Sequence, residues 1–423
     1  MTVCAHPYAV IQKFWYRLPD IGRTGRGSAK QARQRTDDQH DLNERCHFRD
    51  QQGICVEMST HRLHELGQRL WLDNITRELL DSGTLAHYIR DCSITGLTSN
   101  PSIFDAALST SDAYDDEIAV RSAAGLAGES LFNHIALRDL GRAAELFRPL
   151  FVDSDGLDGW VSMEISPLLA NDRDASIAAA REIHQLAKTP NLLVKIPGTT
   201  AGITAIEASI CTGIPINVTL LFSKAQYLAV AEAYMRALEQ RLRSGLDLRV
   251  ESVASIFISR WDSATDSLPQ VELRGQLGIA VGRDIYAAHR ESLTTDRWRK
   301  LASSGARPQR LLWASTGNKN PESSPTYYVS ALAAPDTIIT LPEKTLLALD
   351  CPNSSGPIVN DTMPEDGKLA RTTLAQFQDA GVDLDALALK LQSDGVQAFV
   401  KSWHSLLARI ASKTELMHDA GQS

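Results

Sequence analysis

The chain has 423 residues, 43% of them hydrophobic and 22% charged, with a formal net charge of -8. That is an ordinary soluble globular composition, long for one average domain but within reach of a single α/β barrel carrying insertions. The acidic balance argues against a nucleic-acid partner or an anionic membrane surface, leaves room for a local basic pocket that takes a small phosphate, and no apolar run approaches a membrane span.

Residues 1 to 57 differ from the rest. Arg17, Arg23, Arg26, Lys30, Arg33 and Arg35 share a stretch with one acid, Asp20, and little periodic apolar pattern. This segment is expected to be a disordered or non-native N-terminal extension, with 58–423 forming one barrel domain. A transit peptide is the competing reading, weakened by few serines and by Asp37, Asp38 and Asp41. GRTGRG at 22–27 is no nucleotide loop, because no strand precedes it and no amphipathic helix follows. Met58-Ser59-Thr60 opens the first helical pattern, RLHELGQRL.

Beyond it, short apolar strands alternate with helical patterns. Strands are expected at 69–74, 93–100, 159–166, 191–197, 216–222, 252–259, 310–316 and 336–342. Helix caps are expected at Asp174, Thr200 and Ser223, the last helix stopping at Gly245. Strands buried on both faces, each followed by a helix, imply a parallel sheet, and eight such units imply a (β/α)8 TIM barrel. An open doubly wound sheet is the competing fold. The long connections 101–158 and 261–309 and the tail 365–415 read as extra helices packed on the barrel. Six cysteines, Cys4, Cys46, Cys55, Cys92, Cys211 and Cys351, show no CxxC spacing, which points to a reducing, cytoplasmic setting and no structural zinc.

In NLLVKIPGTT the run Leu192-Leu193-Val194 reads as a buried strand, yet Lys195 interrupts it. Such a lysine either snorkels to water or is a desolvated, nucleophilic amine. Barrel chemistry sits where strands end at their C-terminal face. There the chain offers Asp73, Asn100, Glu164, Lys195, Asn217, Thr219, Ser255 and Arg260. Singly, each has a structural explanation: Asp73 as a helix cap, Asn100-Pro101 as a turn, Glu164 as the balance for Lys195, Arg260 paired with Asp262. Together, two carboxylates and a lysine on separate strands exceed what a Val, Ile and Leu barrel core needs. An amine can form a Schiff base with a ketone and act as an electron sink for carbon–carbon cleavage; carboxylates in different environments can divide the proton transfers. An arginine would hold a phosphate.

WLDN, GLTSNPSIF, VSMEISP, LLVKIPGT, INVTLLFS, SVASIFISR and WASTGNKNP, in this order, resemble the transaldolases, specifically their longer bacterial branch, over residues 58 to 423. The resemblance implies a class I aldol mechanism without metal or cofactor, moving a dihydroxyacetone unit between sugar phosphates in the non-oxidative pentose phosphate pathway. It implies Lys195 as the Schiff-base lysine, Asp73 as acid/base at the C4 hydroxyl, and Glu164 with Thr219 as the pair that handles a catalytic water. By the same resemblance Asn100, Asn217 and Ser255 would bind the dihydroxyacetone hydroxyls and Arg260 the phosphate. Where the shorter branch has a second phosphate arginine, this chain offers only Lys319. A free aldolase and a non-catalytic sugar-phosphate binder are the alternative readings, and a homo-oligomer is left open.

Overall fold

A computed structural model of the chain describes residues 59–320, 323–350 and 362–420. The expectations for residues 1 to 57 lie outside the described residues. Eight parallel strands close a barrel in sequence order: β1 (Arg69–Leu72), β2 (Ile94–Thr98), β3 (Trp160–Glu164), β4 (Leu192–Pro197), β5 (Ile216–Leu221), β6 (Ser252–Phe257), β7 (Arg310–Ala314) and β8 (Thr337–Leu341). Closure is made by β1 against β8, from Arg69 opposite Ile338 to Leu72 opposite Leu341. The fold is therefore the (β/α)8 barrel and not the open sheet. Every residue within the strands β2 to β8 is buried, because helices cover the outside while side chains fill the inside.

Both long connections and the tail are helical as expected. The first carries Pro101–Thr110, Asp115–Ala123 and Gly128–Asp153, the second Ser259–Thr265, Leu277–Ser292 and Asp296–Ser303, and the tail Lys368–Asp379 and Leu384–Ala420. Two of the three helix caps differ from expectation by one or two residues. The helix before β4 begins at Arg173, because the Asp172 side chain, not Asp174, accepts from the Ala175 N–H at 3.0 Å. The helix after β4 begins at Thr200, capped by Thr199, whose hydroxyl accepts from Gly202 N–H at 3.0 Å. Ser223 does cap the helix Lys224–Arg243, in a reciprocal box with Gln226. The first helix covers only Ser59–Glu65, since Gly67 turns at φ 89 to feed β1.

The end of the barrel that receives the strand starts is closed by charge. Arg310 donates to Glu251 at 2.9 Å and to Asp158 at 3.2 Å, and Arg69 donates to Asp158 at 2.8 Å. Arg310, Glu251 and Asp158 are all buried. At the other end the C-terminal helix Leu384–Ala420 lies over the strand ends. It buries a stripe of Leu391, Gly395, Phe399, Trp403, Leu406 and Ile410, spaced three and four apart. It is anchored outward by Arg409 on Asp105 at 2.7 Å and by Trp403 edge-to-face with Phe132 at 5.1 Å.

Candidate active site

Strand periodicity puts Ser162 and Glu164 of β3, Lys195 of β4, Asn217 and Thr219 of β5, and Ser255 of β6 on inward-facing positions. Register aligns them across the barrel: Glu164 lies opposite Lys195, Lys195 opposite Asn217, and Pro197 opposite Thr219. A cavity of about 150 Å³ opens at the strand ends, lined among others by Asp73, Asn100, Lys195, Thr219, Ser255 and Arg260. Six of the nine residues expected at the site thus meet in one space.

Lys195 is only 6% exposed, so its head does not snorkel into bulk water. Its Nζ donates to the Ser99 carbonyl oxygen at 2.7 Å and stands 3.5 Å from Glu164 Oε2. Glu164 is buried behind it. The Thr219 hydroxyl lies 3.5 Å from Glu164 Oε1, while Oε2 has no hydrogen-bond partner among the described residues. Desolvation pushes the Glu164 carboxyl above the usual range; the Lys195 ammonium and the Thr219 hydroxyl pull it back, and the Asp73 carboxylate adds to the rise. Asp73, at the end of β1, is likewise raised by desolvation and drawn down in part by Lys195. Two carboxyls are therefore held near one amine with their proton affinities increased, as groups that exchange protons need.

Directly after Thr219 comes an irregularity that strand periodicity does not contain. Between Val218 and Leu221 the β5–β6 register slips by one residue, and Leu220 takes a left-handed backbone, φ 58. Such a bulge re-aims the neighbouring side chain. The bulge is held from the C-terminal helix: the Gln392 side-chain amide donates to Leu220 O at 2.9 Å and to Gly198 O at 3.0 Å, tying the ends of β5 and β4 together.

The polar layer beneath is satisfied internally. Ser255 Oγ donates to Asn217 Oδ1 at 2.7 Å and Asn217 Nδ2 donates to Ser162 Oγ at 3.2 Å. Asn217 is 1% exposed and supports Ser255 from below the cavity. The Asn100 side-chain oxygen is engaged as cap of the helix Pro101–Thr110, accepting from Ile103 N–H at 3.1 Å, so its NH2 group is what can face a ligand. Arg260 is partly buried with its guanidinium 5.2 Å over the Phe257 ring. Burial lowers its pKa from the usual value, opposed by Asp394. Asp262 is not its partner: that carboxylate accepts from Tyr328 OH at 2.8 Å and Gly278 N–H at 3.0 Å. Among the described residues no carboxylate pairs with Arg260 at ion-pair distance, which leaves a cation free for an anionic ligand. Lys319 is exposed and does not line the cavity; in the segment after β7 it is Ser315, with a left-handed backbone at φ 54, that faces the site.

Several lining residues escaped the sequence. Phe257 and Thr340 continue the inward alternation of β6 and β8 and were readable in principle. Phe399 comes from the C-terminal helix, more than a hundred residues beyond Arg260, and carries no local signal. The Ser99 carbonyl was invisible because a backbone acceptor has no residue type. Among the described residues no group of three or more His, Cys, Asp or Glu is placed to hold a metal ion, and no helix is long and apolar enough to cross a membrane.

The family described as transaldolase/fructose-6-phosphate aldolase matches over residues 70–410. A transaldolase of Thiobacillus denitrificans is 44% identical over 359 residues, covering 83% of this chain and 99% of that protein. One of Thermobifida fusca is 41% identical over 360 residues, covering 83% and 97%, and one of Mycolicibacterium smegmatis is 41% identical over 353 residues, covering 82% and 94%.

Proposed function

The chain is an enzyme that belongs to the transaldolase/fructose-6-phosphate aldolase family, and from that premise we propose that it transfers a dihydroxyacetone unit between sugar phosphates through a Schiff base on Lys195. The observation that carries this reading is the buried Lys195 amine, 3.5 Å from Glu164 and facing a cavity shared with Asp73 and with Arg260, which has no ion-pair partner among the described residues.

The Lys195 amine adds to the C2 ketone of fructose 6-phosphate or sedoheptulose 7-phosphate, and loss of water from the carbinolamine leaves a protonated imine. Glu164, beside Thr219, takes and returns the protons of that water. Asp73 removes the C4 hydroxyl proton; the C3–C4 bonding pair moves into the imine to give an enamine, and the aldose phosphate leaves. The enamine then adds to an acceptor aldose phosphate, Asp73 returns the proton, and water entering at the imine carbon releases the new ketose. Raised proton affinity at both carboxyls supports these assignments. Ser255 and the Asn100 NH2 are suited to the dihydroxyacetone hydroxyls, with Asn217 orienting Ser255, and Arg260 is suited to the phosphate. Exposed Lys319 could reach a phosphate only if its loop folds inward. The reading extends to a cytoplasmic enzyme of the non-oxidative pentose phosphate pathway.

Borohydride reduction in the presence of fructose 6-phosphate, followed by peptide mapping, tests the core of the proposal. A reduced adduct on Lys195 is expected, and its absence from folded protein overturns it. Adding erythrose 4-phosphate as acceptor, with sedoheptulose 7-phosphate as the transfer product, separates transfer from release of free dihydroxyacetone.

A further inference from the structure

The face that the C-terminal helix turns to the strand ends carries Gln392, Gly395 and Phe399, three and four residues apart; Phe399 lines the cavity, and Gln392 and Gly395 pack against the chain beside it. Glycine is unfavourable in a helix interior, and its backbone here has no positive φ to require it. What it does is leave space. A Cβ on Gly395 would stand 3.0 Å from Arg260 Nη1 and 2.8 Å from Leu220 Cδ2, both closer than ordinary contact.

We propose that Gly395 is a specificity-determining position: its missing side chain is the room in which the Arg260 guanidinium reaches the cavity, so it sets the preference for phosphorylated over unphosphorylated ketoses. The inference rests on Arg260 as the phosphate ligand. Of the three parts that meet at Gly395, two are fixed. The Leu220 side chain is fully buried in the core, and its backbone is held in the bulge of β5 with the carbonyl oxygen tied to Gln392. The helix itself is held by the two Gln392 hydrogen bonds, by Arg409 on Asp105 and by Trp403 against Phe132. Arg260 is the far end of a long side chain, restrained by its position over Phe257 and by no ion pair among the described residues. A methyl group at 395 is therefore accommodated by displacement of the guanidinium. A phosphorylated ketose then loses a charge-assisted contact, while an unphosphorylated one, which never uses that contact, keeps its contacts at Lys195, Asp73 and Ser255.

Steady-state kinetics of Gly395→Ala with fructose 6-phosphate and with fructose tests this. KM for fructose 6-phosphate should rise roughly tenfold with kcat nearly unchanged, the signature of lost uniform binding, while kcat/KM for fructose stays within about twofold. An unchanged KM for fructose 6-phosphate, or an equal loss with both substrates, overturns the proposal. Should Gly395→Ala fail to fold, Leu220→Ala/Gly395→Ala relieves the 2.8 Å contact and is read against Leu220→Ala alone. The KM increase should persist in that pair, and its absence overturns the proposal. Arg260→Met separates the two layers: if it leaves KM for fructose 6-phosphate unchanged, the phosphate assignment fails, whereas a raised KM there with none in Gly395→Ala defeats the present inference alone.

Discussion

Replacing Glu164 by glutamine keeps the size of the side chain and removes its charge and its basicity. The carboxylate stands 3.5 Å from Lys195 Nζ and 3.5 Å from the Thr219 hydroxyl, with Oε2 otherwise unpartnered among the described residues. At an effective dielectric of about 20, a unit positive charge on the lysine nitrogen at that separation gains about 5 kcal/mol from the carboxylate. Desolvation of Glu164 takes back part of this, as the raised proton affinity of the carboxyl records. General acid–base catalysis by one positioned group is worth about 10²–10⁴-fold, or about 3–5 kcal/mol of barrier. Glu164→Gln is therefore expected to slow both formation and hydrolysis of the Lys195 imine by roughly 10³-fold. The assay is time-resolved borohydride trapping with fructose 6-phosphate, alongside steady-state kcat and a thermal melt. The same Lys195 adduct should appear, but slowly, in a protein that still melts cooperatively. Trapping and turnover within about tenfold of the unmodified enzyme would refute the assignment of proton transfer to Glu164.

Asp73→Asn should lower kcat by about 10²–10⁴-fold while stabilising the fold at neutral pH. Because burial raises the Asp73 pKa in the folded state, the stability contributed by its protonated form is present below the ordinary carboxylate range and is lost as pH rises through the raised value. The melting-temperature advantage of the asparagine variant should therefore be largest near pH 8 and vanish toward acid; an advantage that grows on acidification would contradict this. Arg310→Met, at the opposite end of the barrel, leaves buried Glu251 and Asp158 without their shared partner and should cost about 3–5 kcal/mol in urea unfolding. The folded variant should keep its KM and kcat, since nothing it touches lines the cavity. Dialysis against EDTA should leave turnover unchanged; a loss restored by a divalent ion would redirect the mechanism to metal-assisted cleavage.

All eight strands were legible because burial on both faces demands continuous apolar runs, and the runs are separated by capped helices. Lys195 was legible for the same reason: an ammonium inside such a run breaks the composition that burial selects. The helix caps at 172 and 199 were misplaced by one or two residues, since neighbouring Asp or Thr residues compete to cap and only backbone geometry chooses between them.

The amino-acid order by itself determined the barrel and the strand-end set of Asp73, Asn100, Glu164, Lys195, Asn217, Thr219, Ser255 and Arg260, because periodicity and burial act over a few residues. The tertiary structure decided which of these face the cavity and which only support it. Asn217 sits below its floor, and Lys319 is exposed and does not line it. It also decided what restrains the reactive groups. The bulge at Leu220, the clamp by Gln392 and the gap at Gly395 join segments about 170 residues apart, and such contacts exist only once closure of the barrel has brought the C-terminal helix onto the ends of β4, β5 and β6.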